Sequence, residues 1–325
     1  MRAIVVSQTG GPEVLQLSEV NAPKPGPGEL LVEVGATGVN FIETYHRSGL
    51  YAMDLPYTPG AEAAGHVLAV GEGVTDFKPG DRVATVDARG SYAEQVIVPA
   101  DRAVAVPDGV DVQTAAAVML QGMTAHYLTQ STYPVKAGET ALVHAAAGGM
   151  GLLLTQMVKA AGGKVIGTVS SDAKAKLAGE AGADEVIRYD QVSGEELAAE
   201  VRHRNGGQGV HVVYDGVGKD TFEASLAALR VRGMLASFGN ASGPVPPFSP
   251  LRLAQGGSLF LTRPTLGSYI VARQELEWRA DDLFRWIQEG TLNVRIGATF
   301  PLGQAGEAQA ELESRKTTGK VLLVP

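Results

Sequence analysis

The stretch LVHAAAGGMGLLLTQMVK, residues Leu142–Lys159, decides the fold of this chain. A short apolar run passes into alanines and glycines and then directly into a longer apolar segment. The spacing Ala146-x-Gly148-x-x-Gly151 puts small residues where a strand-to-helix turn must bring its backbone close to a pyrophosphate. The start of the following helix offers N–H groups and a positive dipole end to phosphates. The stretch therefore predicts a dinucleotide-binding strand, turn and helix.

Short strands and helices alternate on both sides of this turn. Such alternation predicts βαβ units that build a parallel, doubly wound α/β sheet. The predicted strands are Thr140–Ala145, Lys164–Val169, Glu185–Tyr189, Val210–Asp215, Met234–Phe238 and Ser258–Leu261. The predicted helices are Gly151–Ala161, Ala173–Ala181, Glu195–Arg204 and Thr221–Leu229.

The two ends of the chain differ from this middle part. Glycine and proline divide the first third into short apolar runs, which indicates a compact β-barrel. The tail reads as helix, strand, helix and closing strand, and we expect it to pack back on the barrel. We therefore predict two domains, a barrel domain formed by residues 1–123 and 268–325 and a dinucleotide-binding domain formed by residues 124–267.

Composition excludes several classes of protein. The 325 residues carry a formal net charge of -8, which disfavours nucleic acids and anionic membranes as partners. No apolar run approaches the roughly 18 residues of a membrane span. Cysteine is absent, so disulfides and thiolate metal sites are excluded, and a reducing cytoplasmic location is expected.

The end of the second predicted strand indicates which dinucleotide binds. NAD-specific folds usually place an acidic residue there, about 20 residues after the glycine turn, to bind the ribose. Here the strand ends in Ser170 and Ser171, with Lys174 one short turn on. Hydroxyls and a cation suit a 2′-phosphate, so the pattern favours NADPH over NADH. Asp172 would favour NADH if it turned toward the ribose, but as the residue that opens a helix it is more simply an N-cap.

Beyond the glycine turn, the chain resembles the quinone oxidoreductases of the medium-chain dehydrogenase/reductase superfamily along essentially its whole length. The residues that carry the resemblance are Gly138-Glu139, Leu142, Ala146–Gly151, Gln156, Lys159, Asn40–Tyr45, Arg47–Tyr51, Gly60–Gly65, Ser237–Asn240 and Glu313–Arg315. The resemblance implies a GroES-like β-barrel domain plus a Rossmann domain, with NADPH in the cleft between them. It also implies a quinone or conjugated carbonyl as substrate, and a homodimer that pairs the Ser258–Leu261 strands edge to edge.

No metal site is expected. The zinc alcohol dehydrogenases of this superfamily carry a histidine where Ala61 stands and a cysteine where Asn40 stands, and neither alanine nor an amide is a good zinc ligand. Glu62 remains, but one carboxylate does not make a site. Without a Lewis acid the oxidation of an alcohol is disfavoured. A conjugated carbonyl is already electrophilic and mainly needs to be positioned.

The resemblance also points to particular site residues. Asn40, Tyr45 and Tyr51 are expected to line the acceptor pocket, with Asn40 bonding the acceptor's oxygen and the tyrosines presenting flat faces. The simpler interpretations are a turn-capping amide and half-buried packing tyrosines. Gln121 is a weaker candidate for a nicotinamide contact. Cofactor-binding residues are expected to be Thr124, Ala147, Gly148, Gly149, Met150, Gly151, Ser170, Lys174, Tyr189, Gly216, Phe238, Gly239, Asn240 and Arg315.

Two alternative functions stay open at this point. An NADPH-dependent reductase of alkenal or enone double bonds would share the fold and every residue named above. A non-catalytic, crystallin-like protein that binds NADPH or RNA is the other alternative, although the acidic balance and the lack of a clustered basic stripe argue against RNA.

Overall fold

The structure is a computed structural model that describes residues 1–192 and 194–325. The chain divides into two compact units. Residues 1–123 and 270–325 form the first unit, and residues 124–269 form the second unit.

The strands and helices of the described residues are numbered in chain order. The strands are β1 (Arg2–Val5), β2 (Gln16–Glu19), β3 (Glu29–Val39), β4 (Ala63–Val70), β5 (Arg82–Thr85), β6 (Gln95–Pro99), β7 (Ala103–Ala105), β8 (Thr140–Val143), β9 (Lys164–Val169), β10 (Glu185–Arg188), β11 (Val210–Asp215), β12 (Leu229–Ser237), β13 (Phe260–Thr262), β14 (Ile296–Pro301) and β15 (Lys320–Val324). The helices are α1 (Phe41–Ser48), α2 (Val112–Tyr127), α3 (Gly149–Ala160), α4 (Asp172–Glu180), α5 (Gly194–Arg204), α6 (Phe222–Ala228), α7 (Leu251–Gln255), α8 (Arg273–Gln288) and α9 (Ala305–Glu313).

The first unit is built on a sheet with the strand order β14-β15-β3-β4-β5-β7, in which β6 also pairs with β3. The C-terminal strand β15 lies antiparallel to β3, with Val321 opposite Val39. This register brings the start of β15 beside the end of β3. Lys320, the first residue of β15, therefore stands next to Asn40, the residue that follows β3.

Helix α1 begins directly after Asn40 and is fixed by the buried guanidinium of Arg47. Arg47 donates to Gln309 Oε1 at 2.9 Å and to the Glu313 carboxylate at 2.8 Å, both on α9. Its Nε also donates to the Gly10 carbonyl at 3.2 Å. An arginine can be buried at this place because most of its donors have acceptors. The helix that carries Tyr45 is thereby attached to the C-terminal part of the chain.

The second unit contains a sheet of parallel strands in the order β10-β9-β8-β11-β12-β13. Counted from β8, this is the order 3-2-1-4-5-6 of the Rossmann fold. Its core packs apolar strand residues such as Leu142 and Val213 against helix residues such as Val201 and Phe222. The predicted fold class, a GroES-like barrel plus a Rossmann sheet, is confirmed.

The predicted elements of the second unit are confirmed, with shifted ends. The first strand ends at Val143, because Ala145 adopts a positive φ of 51° and starts the turn. Strand β12 begins at Leu229, which pairs with Val210 of β11, so the preceding helix ends earlier than predicted. Ser258, predicted as strand, has a φ of 56° and lies before β13.

No helix among residues 1–192 and 194–325 is long and apolar enough to cross a membrane.

Candidate functional site

The turn between β8 and α3 has the backbone path that the sequence predicts. The N–H of Gly148 donates to the carbonyl of Ala145 at 2.9 Å, and helix α3 begins at the next residue. The N–H of Ala146 donates to the carbonyl of Thr168 at 3.0 Å, which ties the turn to the end of β9. The turn is therefore held from both sides before any ligand binds.

Gly151 is the position at which only glycine fits. A Cβ on this residue would lie 2.5 Å from Cα of Ala146 and closer still to the carbonyl oxygen of Ala145. Real Cβ atoms do not approach backbone atoms so closely, so any side chain would force α3 away from β8. The third small residue of the predicted motif thus serves close packing of helix on strand.

The start of α3 presents unpaired donors. Within the described part of the chain, no acceptor takes the N–H groups of Gly149, Met150 and Gly151, and the first turn holds no acidic residue. Backbone donors at a helix N-terminus, reinforced by the helix dipole, bind phosphate groups. This turn can therefore accept the diphosphate of a dinucleotide.

A buried polar network supports the turn from inside the sheet. The ring nitrogens of His144 lie 3.0 Å from Thr168 Oγ1 and 3.0 Å from Ser225 Oγ, and Ser225 in turn donates to Asp215 at 2.8 Å. Burial lowers the pKa of His144 below its usual value of 6.5, so the ring is neutral at neutral pH. The network joins the ends of β8, β9 and β11 to helix α6.

The residues predicted after β11 and β12 lie against each other. A Cβ on Gly239 would stand 2.9 Å from Cα of Gly216, and a Cβ on Gly216 would stand 2.8 Å from the ring of Phe238. The amide of Asn240, oriented to satisfy its neighbours, faces the guanidinium of Arg263 at 3.3 Å. Gly216, Phe238, Gly239 and Asn240 therefore share the carboxyl edge of the parallel sheet with Ala147–Gly151. Ligands of such sheets bind at this edge.

The end of β9 differs in one detail from the sequence interpretation. The N-cap of α4 is Ser171, whose hydroxyl accepts from the N–H of Lys174 at 3.3 Å, and Asp172 is the first helical residue. The carboxylate of Asp172 is bonded to the guanidinium of Arg188. Arg188 stands at the end of β10, directly before Tyr189, and also binds Asp190 at 2.6 Å. Asp172 is thus held by a neighbouring strand, an arrangement that the sequence did not reveal.

Four of the predicted residues remain to be placed. Ser170 follows β9, and the half-buried Lys174 lies on α4, where burial lowers the pKa of its ammonium group. Thr124 lies on α2 in the second unit and is nearly buried. Arg315 lies in the first unit, exposed, with a positive φ of 59° just after α9.

In the first unit, Asn40 caps helix α1 and the tyrosines follow it. The N–H of Asn40 donates to Glu43 Oε2 at 2.8 Å, which fixes the first turn of α1. The rings of Tyr45 and Tyr51 meet edge to face with centroids 5.3 Å apart, and the Tyr51 N–H donates to the Tyr45 carbonyl at 3.0 Å. Tyr51 is 38% exposed, whereas Asn40 is only 4% exposed.

Around the Asn40 side chain lies a buried charge cluster, which we define as Asn40, Glu62, Gln121 and Lys320. The Lys320 ammonium lies 2.5 Å from Glu62 Oε2 and 2.6 Å from Asn40 Oδ1. The Asn40 Nδ2 donates to the same Glu62 oxygen at 2.9 Å, and Gln121 Nε2 reaches Asn40 Oδ1 at 3.4 Å. An asparagine, two charged groups and a glutamine thus share hydrogen bonds inside the first unit.

Glu43 lies beside the buried charge cluster and has an unusual pKa. Burial raises the pKa of Glu43 from 4.5 to about 8, while Lys320 opposes the shift and Glu62 adds to it. Its Oε1 has no hydrogen-bond partner in the described residues. Glu43 is therefore mainly protonated at neutral pH, and the charges of Lys320 and Glu62 balance each other.

Sequence reasoning did not include Glu43 and Lys320 among the site residues, and it considered Glu62 only as a metal ligand. One sequence signal was available: Lys320 opens the otherwise apolar strand KVLLV, where a lysine has no reason to be buried unless it has a partner. The partner lies 258 residues away in the sequence, so the pairing itself could not be read from local pattern.

Family models match both parts of the chain. Residues 26–108 match the alcohol dehydrogenase GroES-like domain, and residues 149–286 match the zinc-binding dehydrogenase model. Together with the Rossmann strand order and the glycine turn, these matches define a medium-chain dehydrogenase/reductase. Within the described residues, no group of three or more His, Cys, Asp or Glu side chains is arranged to hold a metal ion.

Similar proteins show to which family within this superfamily the chain belongs. A quinone oxidoreductase of Pseudomonas aeruginosa is 49% identical over 97% of this chain and 97% of its own length. The crystal structure of Escherichia coli quinone oxidoreductase complexed with NADPH superposes with a TM-score of 0.97 at 44% identity and covers all of both chains. A 2-haloacrylate reductase of a Burkholderia species is 41% identical over 99% of this chain and 98% of its own. The chain belongs to the quinone oxidoreductase family of the medium-chain dehydrogenases/reductases.

Gly151→Ala tests the close packing of helix α3 on β8. The added methyl group meets backbone, which cannot move aside, so we expect the free energy of unfolding to fall by roughly 1–3 kcal/mol. Gly179→Ala is the matched control on α4, because its Cβ would meet nothing within 4 Å. The control should be neutral or stabilising by about 0.5–1 kcal/mol in denaturant unfolding. Equal losses for both variants would contradict the packing role of Gly151.

Glu43→Gln tests the raised pKa of Glu43, which interacts with Lys320, Glu62, Tyr57 and Tyr92. Between pH 4.5 and about 8 the carboxyl is protonated in the folded state and ionised in the unfolded state. The wild type therefore loses stability as pH rises through this window, and the neutral glutamine does not.

We expect the free energy of unfolding of Glu43→Gln, relative to wild type, to increase by on the order of 1 kcal/mol per pH unit from pH 5 to 8. Denaturant unfolding at several pH values measures this difference. Glu33→Gln, at an exposed carboxyl on β3, is the control and should show no such slope. A flat difference for Glu43→Gln would mean that Glu43 is ionised in the folded protein.

Proposed function

We propose that this chain is an NADPH-dependent quinone oxidoreductase that transfers reducing equivalents to a quinone without a bound metal. The proposal that no metal is bound is supported by the buried ion pair of Lys320 and Glu62, whose Nζ and Oε2 atoms are 2.5 Å apart. Glu62 follows Ala61 in the chain and accepts from Nδ2 of Asn40, so its carboxylate lies beside both broken zinc-ligand positions. An ammonium group that is bonded to this carboxylate repels a divalent cation, and the amide and methyl groups supply no replacement ligands.

The second unit supplies the groups that suit NADPH. The N–H groups of Gly149–Gly151 would hold the diphosphate, and the small residues of the turn leave it room. Ser170, Lys174 and Tyr189 would surround the 2′-phosphate. Asp172, the carboxylate that would favour NADH, is already bonded to Arg188. When bound, NADPH supplies a hydride from its nicotinamide ring.

The first unit supplies the acceptor side. Asn40 would donate from Nδ2 to the carbonyl oxygen of the acceptor, where negative charge develops as the hydride arrives. Tyr45 and Tyr51, held edge to face, would pack against a flat ring. These residues bind, orient and hydrogen-bond. A quinone needs no more than this, because its conjugated carbonyl is electrophilic without a metal.

A second candidate function has one specific observation in its favour. The Burkholderia relative, 41% identical over nearly the whole chain, is a 2-haloacrylate reductase. Its substrate name describes a double bond conjugated to a carboxylate, which is electrophilic for the same electronic reason as a quinone. Reduction of a conjugated double bond is therefore the alternative, and turnover decides between them.

A homodimer is also part of the proposal. Strand β13 forms one edge of the sheet in the second unit, and Phe260 on this strand is 55% exposed. An apolar side chain on an unpaired strand edge favours pairing with a second copy of the chain.

An acceptor panel tests the proposed reaction. Purified protein with NADPH should turn over simple quinones with a kcat/KM at least about tenfold above that for enones and 2-haloacrylates, because Tyr45 and Tyr51 would pack against a flat ring. Dialysis against a chelator should leave this rate unchanged. Faster turnover of the open-chain substrates would favour the double-bond reductase. Loss of activity that zinc restores would overturn the metal-free mechanism, and tight NADPH binding without any turnover would favour a non-catalytic binding protein.

Lys174→Glu tests the 2′-phosphate site. Replacing a cation that hydrogen-bonds a phosphate by an anion should raise the Kd of NADPH by roughly tenfold to a hundredfold and that of NADH by less than about twofold. Calorimetry or nicotinamide fluorescence measures both constants. Lys176→Glu, two residues along the same helix and largely exposed, is the control and should leave both constants near wild type. Equal losses for NADPH and NADH would refute the assignment of Lys174.

A further inference from the structure

We propose that Lys320 and Glu62 are positioning residues that fix the orientation of the Asn40 amide, so that it faces the acceptor only as a hydrogen-bond donor. The inference rests on the proposed role of Asn40 in the acceptor site and adds how the protein sets that role.

The pair is buried and in direct contact with both polar atoms of the Asn40 amide. Lys320 is 1% exposed and Glu62 is fully buried. Lys320 Nζ lies 2.6 Å from Oδ1 of Asn40, while Glu62 Oε2 accepts from Nδ2 at 2.9 Å. The amide oxygen therefore faces a hydrogen-bond donor, and the amide nitrogen faces a hydrogen-bond acceptor.

This arrangement selects one of two amide orientations that have almost the same shape. Rotating the amide of Asn40 by half a turn exchanges its oxygen and nitrogen without changing its volume. An ammonium group cannot accept and a carboxylate cannot donate. The reversed orientation would set nitrogen against Lys320 and oxygen against Glu62, two repulsive contacts without water to relieve them. Neutral groups that can both donate and accept would not discriminate between the two orientations of the Asn40 amide.

The fixed orientation leaves one donor available. Oδ1 is occupied by Lys320 and, at 3.4 Å, by Gln121. Nδ2 carries two N–H bonds, and one of them goes to Glu62. No acceptor among residues 1–192 and 194–325 takes the other. The remaining N–H can donate to an acceptor oxygen that gains negative charge during the reaction. It cannot hydrogen-bond a group that is itself only a donor.

The pair is itself held in place by the fold. Glu62 Oε1 accepts from the N–H of Leu120 at 2.6 Å, so the carboxylate is anchored to helix α2. The pairing of β15 with β3 sets Lys320 opposite Asn40. Gly38 makes room for both, because a Cβ there would lie 2.8 Å from Lys320 Cε and nearer still to Glu62 Oε2. The space left by Gly38, the register of β15 on β3 and the hydrogen bond from Leu120 together fix the positions of Lys320 and Glu62.

The double variant Lys320→Met with Glu62→Gln removes both charges and avoids an unpaired buried ion, so the fold should be retained. The glutamine that replaces Glu62 can still accept from the N–H of Leu120. Its amide nitrogen then faces Asn40 as a donor, so the native orientation of the Asn40 amide is no longer favoured. We expect kcat with a quinone to fall by roughly tenfold to a hundredfold. The Kd for NADPH, measured by calorimetry, should stay within about twofold, because the phosphate turn is untouched.

The same double change in an Asn40→Ala background separates positioning from a structural role. If the pair acts through Asn40, the charge-removing change has no further effect on kcat once the amide is absent, which is strong non-additivity. An equal fall in both backgrounds would overturn the inference. Arg2→Met, which breaks the exposed pair of Arg2 with Glu94 in the same unit, is the control and should leave kcat unchanged.

The remaining outcomes distinguish the inference from the function on which it rests. A wild type without quinone turnover, or an Asn40→Ala variant with unchanged kcat, would refute the proposed function or the role of Asn40. A double variant with wild-type kcat, while Asn40→Ala is impaired, would refute the positioning role alone. If circular dichroism shows the double variant to be unfolded, Lys320→Gln with Glu62→Gln, which also removes both charges but keeps polar side chains at both positions, is measured in the same two backgrounds against the same expectation.

Discussion

The contact between Gly151 and the backbone of Ala145 and Ala146 is the constraint on which the second unit depends. With no side chain at this point, the first turn of helix α3 can lie directly against the turn that follows β8. The N–H groups of Gly149–Gly151, like those at the start of any helix, have no intrahelical acceptors, so the closely packed turn presents them at the edge of the sheet. The Thr168–His144–Ser225–Asp215 network then connects the ends of neighbouring strands beneath the turn.

The first unit solves a different problem, which is how to keep polar groups inside a barrel core. Lys320, Glu62 and Asn40 are hydrogen-bonded to one another, and the neutral Glu43 beside them adds no further charge at neutral pH. Buried ions are retained only where each has a partner of opposite sign and its remaining donors and acceptors are used. Around Asn40 this chain thus contains a buried cation, Lys320, together with its counter-ion, Glu62.

Particular residues show which features of the structure can be predicted from short stretches of sequence. Strands Lys164–Val169 and Val210–Asp215 match their predicted bounds, because a short apolar run between turn residues has few alternatives. Ser258 and Leu229 were assigned to the wrong element, because positive φ and pairing across the sheet decide them. Asp172 was interpreted as a cap, although its partner Arg188 lies on the next strand, where a helix-level pattern gives no sign of it.

The sequence by itself determined the glycine turn, the alternation of strands and helices, the acidic surface and the lack of cysteine, since each depends on residues close together in the chain or on composition alone. The tertiary structure decided the buried charge cluster, the raised pKa of Glu43 and the ion pair between Asp172 and Arg188. These features need groups such as Glu62 and Lys320, 258 residues apart, to meet in a place without water. Their charge, protonation and hydrogen bonding follow from that meeting and from burial, which no local pattern encodes.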